Sequence, residues 1–179
     1  MVLLAVAMRA QSSVGVWAGT VPSAARLFND GLWRGTSTGI EISSKLPVLS
    51  SLVDLPVAIA AAAEYIRPTH STVVLLDDYR GWILRGSLQW FAGSGTAPYL
   101  RLGAGITIGE RVAHAIEWDS TSALTWTTTR SLVVYWGFGL RGSVAAAVGW
   151  FAELECMAGD QVGVLLPIRI GLSYRWGEQ

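Results

Sequence analysis

The sequence predicts an all-β protein: an eight-stranded, antiparallel, up-and-down transmembrane β-barrel. Apolar residues alternate with small or polar ones along most of the chain. Hydrophobic residues make up 51% of the chain, and charged residues only 15%, against roughly 25% in ordinary globular proteins. No apolar run is long enough for a membrane-spanning helix, which needs about 20 residues, since the longest, Leu55–Ala63, contains Pro56. An apolar chain without a long apolar run is typical of a membrane barrel.

The alternation defines the individual strands. It is clearest in Val164–Trp176, where every even position is apolar or aromatic and the odd positions include Arg169, Gly171, Ser173 and Arg175. A period of two places these sets on opposite faces of a strand. Four more segments repeat it: Trp82–Trp90, Pro98–Arg111, Ser131–Arg141 and Val144–Cys156. Three weaker strands are expected upstream: Ser13–Thr20, Gly35–Leu46 and Val53–Arg67.

The connections between these strands alternate in length. Short turns are expected at Pro47–Leu52, Gly93–Ala97, Gly142–Ser143 and Gly159–Gly163. Longer links are expected at Val21–Arg34, Pro68–Arg80 and Val112–Arg130. Membrane barrels of bacteria have short periplasmic turns and longer external loops. A periplasmic N-terminus followed by eight strands therefore puts all the long links outside.

The alternation alone fits two barrels, one with its apolar face turned to lipid and one with that face turned inward around a ligand. Eight strands enclose room for side chains or one small ligand. The large apolar set would overfill that space, whereas the opposite face is rich in glycine, serine and alanine. A soluble barrel would also carry lysines outside, and the chain has only Lys45. These observations favour lipid on the apolar face.

Charged residues on the other face are then predicted to lie in the lumen. An unpaired charge in a narrow lumen is costly, so arginine–carboxylate pairs are expected. We interpret the set as a closed plug of ion pairs, with a gated path as the alternative; which glutamate pairs with which arginine is left open. The predicted network comprises Glu41, Glu64, Arg85, Arg101, Arg141, Glu153, Glu155, Arg169 and Arg175.

Four aromatic residues on the lipid face are predicted to anchor the barrel at the membrane interfaces. They are Trp82, Trp90, Tyr174 and Trp176, each near an end of its predicted strand. Tryptophan and tyrosine are enriched at this depth because their rings are apolar with a polar edge.

Other classes of function find little support. With 13 basic and 13 acidic residues the net charge is zero, so no nucleic-acid partner is expected. Cys156 is the only cysteine, so neither an internal disulfide nor a multi-cysteine metal site is possible. No metal, cofactor or catalytic residue is predicted.

Residues 1–12 are predicted to be the remnant of a signal peptide or an N-terminal tail, and residues 13–179 the barrel. Ala5-Val6-Ala7 fits the small-x-small cleavage pattern after a short apolar run.

Three segments resemble the small outer-membrane barrels of the OmpA and OmpX type. They are Ala97-Pro-Tyr-Leu-Arg-Leu-Gly-Ala-Gly-Ile106, Tyr135-Trp-Gly-Phe-Gly-Leu-Arg141 and Leu166-Pro-Ile-Arg-Ile-Gly-Leu-Ser-Tyr-Arg-Trp176. The resemblance spans about Ser13 to Trp176. It implies a Gram-negative outer membrane, contact with its lipid, and assembly by the barrel-assembly machinery; a monomer is expected. The family usually ends on an aromatic residue, whereas Gly177-Glu178-Gln179 follow Trp176 here.

The resemblance leaves three functions open. The first is a structural or surface-interaction protein whose long external links carry any partner contacts. The second is a narrow pore or a conduit for small or hydrophobic solutes. The third is a lipid-modifying enzyme, suggested by His70-Ser71 with Asp77 and Asp78 nearby. That family's pattern is His-x-Ser within a strand, whereas His70 and His114 are expected in or beside external links, so we predict no enzyme.

Overall fold

The computed structural model describes residues 11–21, 34–47, 49–50, 56–71, 75–93, 96–115, 126–160 and 162–177. For residues 68–71, 75–78 and 112–115 it describes the backbone only. The predicted signal-peptide remnant therefore lies almost entirely outside the described residues and stays a prediction.

A single antiparallel sheet closes on itself. Its strands, in chain order, are β1 Ser12–Thr20, β2 Arg34–Lys45, β3 Val57–Ser71, β4 Leu75–Phe91, β5 Ala97–Ala115, β6 Thr127–Ser143, β7 Val148–Gly159, β8 Gly163–Leu165 and β9 Ile168–Trp176. From β1 to β8 each strand pairs with the next in sequence, and β9 pairs with β7 and with β1, for example Leu172 opposite Val16. The result is an up-and-down barrel without a free sheet edge.

The short β8 and the following β9 are two parts of one barrel strand. Both pair with β7 in the same register, with Leu165 opposite Met157 and Arg169 opposite Glu153. Between them the Glu155 amide donates to the Pro167 carbonyl at 2.9 Å. Pro167 itself has no N–H to donate, so the ladder is interrupted only there. The barrel therefore has eight strands, which confirms the predicted fold class.

The alternation along each strand separates an apolar outer wall from a tightly packed lumen. The exposed large side chains on β9 are Ile168, Ile170, Leu172, Tyr174 and Trp176, and the residues between them are inward. The outward apolar stretches on β4, β5 and β6 run Trp82–Trp90, Leu100–Ile108 and Leu132–Leu140. Each spans about nine residues, the length of a strand that crosses a bilayer. The outer wall is thus a lipid-facing band.

Polar outer residues begin where the lipid-facing band ends. On β4 and β5, next to Trp82 and Ile108, Arg80 Nη2 lies 2.7 Å from Glu110 Oε2 on the exposed surface. On β6, Arg130 is exposed opposite Ile108. Beyond this level the strands continue outside the apolar band.

Several predicted connections are therefore wrong. Pro68–Arg80 and Val112–Arg130 were expected as loops, but β3 and β5 extend to Ser71 and Ala115, and β4 and β6 begin at Leu75 and Thr127. Beyond the band polar side chains occur on both faces, and the alternation that marks a strand disappears. His70 and His114 consequently lie in strands, opposite Asp77 and Leu76 respectively.

The turn between β6 and β7 is also displaced from its predicted position. It was expected at Gly142–Ser143, but β6 continues through Ser143 and the chain reverses over residues 144–147. The Val144 amide donates to the Val148 carbonyl at 2.9 Å, and the Val148 amide returns to the Ala145 carbonyl at 3.2 Å. The turn residues Val144-Ala-Ala-Ala147 are themselves apolar and continue the hydrophobic pattern of the next strand. The prediction therefore began β7 at Val144, whereas the strand begins at Val148.

Within the part of the chain that is described, no helix is long and apolar enough to cross a membrane.

Candidate functional site: the lumen

The lumen consists of three layers along the barrel axis. We call the end where β1 begins and β9 ends the terminal end, and the opposite end the loop end. A buried apolar cluster fills the loop end, a charge network occupies the middle, and a cavity lies at the terminal end. The apolar cluster comprises Val21, Ile66, Tyr79, Ile83, Val133, Tyr135, Met157, Val162 and Leu165.

The charge network is centred on Arg169. Its Nε and Nη2 donate to the two carboxylate oxygens of Glu64 at 2.8 and 2.7 Å. Its Nη1 donates to Glu153 Oε1 at 3.1 Å and also pairs with Glu155. All four side chains are buried, with at most 1% of the Arg169 side chain exposed. The planar guanidinium presents five donors, so one arginine can satisfy three carboxylates.

Two further arginines join the same carboxylates from β4 and β5. Arg85 Nη1 donates to Glu155 Oε2 at 2.5 Å, and its Nη2 lies 3.6 Å from Glu64 Oε2. Arg101 Nη1 lies 3.3 Å from both Glu153 Oε1 and Glu155 Oε1. Every carboxylate in the middle layer therefore faces more than one arginine, and the layer is linked across β3, β4, β5, β7 and β9.

Glu41 completes the network on its terminal side. Arg101 Nη2 forms an ion pair with Glu41 Oε2 at 2.7 Å, and Gln89 Nε2 donates to Glu41 Oε1 at 2.9 Å. The Tyr99 hydroxyl donates to Glu153 Oε2 at 2.7 Å. From here on, the charge network means Glu41, Glu64, Arg85, Arg101, Glu153, Glu155 and Arg169.

The structure places Arg141 and Arg175 outside this network, although both belonged to the predicted set. They point inward but lie near the terminal end, and neither contacts a carboxylate among the described residues. The Arg141 guanidinium stacks 3.3 Å from the centroid of the Phe91 ring. Arg175 Nη2 donates to Ser143 Oγ at 2.7 Å. The alternation along each strand predicted correctly that both side chains point into the lumen. It carries no information about where they lie along the barrel axis.

Aromatic rings that the sequence did not single out complete the middle layer. Arg85 lies 4.8 Å from the Tyr135 ring and 5.5 Å from the Trp17 ring, and Arg169 lies 5.8 Å from Trp17. Cation–π contacts of this kind favour a desolvated arginine. An inward tryptophan in the otherwise small-residue face of β1 is the signal that could have revealed Trp17.

Inward glycines on neighbouring strands provide the space for these rings. A Cβ at Gly39 would clash with the Trp17 ring, and one at Gly103 with the Tyr135 ring. Gly171 makes the same room for Phe151. The glycines of the inner face therefore serve packing, as each ring fills the notch left by the missing side chain.

The four predicted interface aromatics all lie on the outer wall. Trp90, Tyr174 and Trp176 lie near the terminal ends of their strands, and the last two rings stack at a centroid distance of 6.5 Å. Trp82 lies well inside β4 instead of near its end, because β4 begins at Leu75. It nevertheless marks the loop-end limit of the lipid-facing band, where it packs edge-on against Tyr65 at 5.5 Å. Their anchoring role stays a prediction.

The described residues contain no ligand set of a metal site. No group of histidine, cysteine, aspartate or glutamate there is arranged to hold a metal ion. The side chains of His70, Ser71, Asp77 and Asp78 lie outside the described atoms, so the third functional hypothesis is not tested by geometry.

Solved barrels share this architecture. No protein-family model and no curated protein sequence matches the chain. Ail, the attachment invasion locus protein of Yersinia pestis, has a TM-score of 0.53 at 14% identity, covering 94% of this chain and 100% of that one. The N-terminal β-barrel domain of Pseudomonas aeruginosa OprF has a TM-score of 0.53 at 16% identity, covering 93% and 99%. Neisserial surface protein A also has a TM-score of 0.53, at 12% identity, covering 93% and 97%.

These similarities confirm the resemblance drawn from the sequence at the level of the fold. The lipid-facing band supplies independent physical evidence, because an exposed apolar surface of this extent has to be covered, and a closed barrel is one of the two folds that satisfy every backbone group within a bilayer. The chain therefore forms a transmembrane β-barrel with the fold of the small eight-stranded outer-membrane barrels of the OmpA and OmpX type.

Proposed function

We propose that this protein is a non-conducting outer-membrane barrel with a structural or surface-interaction role, and that it is not an enzyme. The observation that carries the proposal is the occupied lumen. Arg169, Glu64 and Glu155 are at most 1% exposed in the middle layer, and the apolar cluster lies between them and the loop end. A barrel of eight strands has no spare width for an open channel once its interior is filled.

The charge network and the apolar cluster, the two layers that close the lumen, differ in how they exclude water. The charge network is polar and could be solvated if its pairs exchanged. The apolar cluster presents few hydrogen-bonding groups to a permeating ion: the Tyr79 and Tyr135 hydroxyls, of which the latter donates to the Gly86 carbonyl at 2.9 Å, and those of buried Ser37 and Thr107 opposite Ile66 and Ile83. Moving an ion through such a layer costs its hydration. This layer is what favours a closed lumen over the narrow-pore alternative.

Any partner contact would then fall on the segments of the loop end. Ail, one of the similar barrels, has been solved with the heparin analogue sucrose octasulfate. The loop-end segments of this chain carry acidic residues as well as basic ones. The acidic residues include Asp30, Asp77, Asp78, Glu117 and Asp119. Nothing in these segments therefore favours a sulfated sugar, and the surface partner is left undefined.

Planar-bilayer recording tests the proposal. The folded wild-type protein should insert without conductance steps, with insertion verified by a fluorescent label and a general porin as the positive control. Stable, reproducible steps would contradict the closed lumen and favour the narrow pore. Mass analysis of lipid A from expressing cells tests the enzyme alternative, and a mass change that depends on the protein would overturn the non-enzymatic assignment.

A further inference from the structure

The terminal end of the lumen holds a cavity of about 320 Å³ that is open to the aqueous side. Arg101 and Glu41 of the charge network form its inner floor. Its rim comes from the ends of β2, β6 and β9, together with aromatic residues of β4 and β7. The volume is at the lower end of the range for small-molecule sites.

Three cations that line this cavity have no carboxylate partner within the described part of the chain. Lys45, Arg141 and Arg175 lie close enough to repel one another electrostatically. Glu41 is the only carboxylate among the described lining residues, and it is already engaged by Arg101 and Gln89. Among the residues that the structure describes, the cavity lining therefore carries more positive than negative charge, whereas each arginine of the charge network faces a carboxylate.

The donors of these cations are available to a ligand. Arg175 Nε is buried and hydrogen-bonds to none of the described groups, while Nη2 donates to Ser143. Arg141 stacks face-on over Phe91, an arrangement that leaves the in-plane N–H groups of a guanidinium unused by the ring. Ser13, Ser43 and Ser173 add hydroxyl groups to the wall.

We propose that this cavity binds a small phosphate ester. Two arginines and a lysine around one space supply the positive charge and the N–H donors that a dianionic phosphate binds. The cavity exceeds the size of the phosphate group alone, and the inward rings of Phe91 and Phe151 line the remaining space, where they would contact the organic part. The site lies on the terminal side of the closed layers, with Glu41 and Arg101 as its floor, so it is compatible with a lumen that does not conduct.

The same phosphate chemistry has two possible sources. One is a soluble phosphate ester on the aqueous side, and the other is the headgroup of an anionic phospholipid in the adjoining leaflet. The opening of the cavity at the barrel mouth favours the soluble source, since a lipid would have to bend its headgroup inward over the rim formed by Trp150 and Arg175.

Calorimetric titration of the folded full chain tests the proposal, with glycerol 3-phosphate as the probe and glycerol as the uncharged control. Wild-type protein should bind the phosphate ester saturably and glycerol not at all. An Arg141→Gln/Arg175→Gln variant should lose about tenfold in affinity for each arginine, because each charge-assisted hydrogen bond contributes on that scale. An Arg67→Gln/Arg130→Gln variant removes the same charge from the exposed loop-end surface and should bind as wild type does.

Heat-modifiable migration on gels confirms that every variant is folded, and Arg141→Lys/Arg175→Lys supplies a variant that keeps the charge. Repeating the titration in nanodiscs distinguishes the sources. Equal affinity in phosphatidylcholine and phosphatidylglycerol nanodiscs assigns the site to a soluble ester, whereas competition by phosphatidylglycerol assigns it to a headgroup. The proposal is overturned if folded wild-type protein shows no saturable binding, or if both double variants weaken equally.

Discussion

Arg169 and Arg175 lie on the same strand and the same inward face, six residues apart, yet their surroundings are opposite. Arg169 is 1% exposed and contacts three carboxylates, whereas Arg175 lies at the cavity mouth and donates to a serine. The difference arises because Glu64, Glu153 and Glu155 all lie at the level of Arg169. The position of a charged side chain along the barrel axis, and not only the face of the strand on which it lies, decides whether it is paired within the lumen or available to a ligand.

The largest effect is expected from replacing the buried arginine of this pair. Arg169→Ala leaves Glu64 without its bidentate partner and should destabilise the barrel by about 3–5 kcal/mol, the cost of an uncompensated buried charge. Arg175→Ala should cost less than about 1 kcal/mol, as expected for a partly solvated arginine. Urea unfolding in lipid vesicles, followed by tryptophan fluorescence, gives both values.

A double replacement sharpens this result. Removing Glu64 together with Arg169 should cost less than the sum of the single changes, because neither charge is then left alone. Strict additivity would show that Glu64 and Arg169 are not coupled. Equal losses of stability for Arg169→Ala and Arg175→Ala would contradict the difference proposed between the two positions along the barrel axis.

A smaller effect is expected when an arginine is placed one residue along β9, on the opposite face. Ile170 is 67% exposed on the outer wall, near the middle of the barrel strand formed by β8 and β9. Ile170→Arg puts a charge near the bilayer midplane and should cost about 2–4 kcal/mol. Ile170→Leu is the matched control and should cost less than about 1.5 kcal/mol. An Ile170→Arg barrel as stable as the control would mean that this face does not meet lipid.

The smallest predicted effect compares two inward glycines that adjoin the same ring. A Cβ at Gly171 would clash with the Phe151 ring and the Val16 carbonyl, whereas one at Gly15 would meet Phe151 at 3.4 Å. Gly171→Ala should therefore cost about 1–3 kcal/mol through overpacking, and Gly15→Ala should stay within about 0.5 kcal/mol. Thermal unfolding in detergent measures the pair, and equal values would argue against ring-in-notch packing.

The sequence revealed the faces of the strands well, because lipid and lumen impose opposite chemistry on alternate residues. The alternation alone predicts that Ile170 and Leu172 face outward and that Arg169 and Gly171 face inward. The extent of the strands did not follow, since Arg80 and Glu110 lie beyond the lipid, where the alternation ends.

The pairing within the lumen could not be read from the sequence either. Partners depend on the stagger between strands that are distant in sequence, as when Glu64 of β3 meets Arg169 of β9. The loop-end apolar cluster was not predicted either, because only the charged and small residues of the inward face were considered in the sequence, and not its apolar members, such as Ile83 and Met157. An apolar residue at inward parity is the signal that would have predicted a second closing layer.

Cysteine labelling along β2 tests the account most directly, in a Cys156→Ala background. Ser43 lines the terminal-end cavity, Ser37 is 1% exposed in the lumen, and Ile42 is 58% exposed on the outer wall. A water-soluble maleimide should label the Ser43→Cys variant and spare Ser37→Cys. A bilayer-dissolved probe should label Ile42→Cys and spare both serine positions. Aqueous labelling of Ser37→Cys would show an open lumen, and bilayer labelling of Ser43→Cys instead of Ile42→Cys would reverse the inside and outside of the barrel.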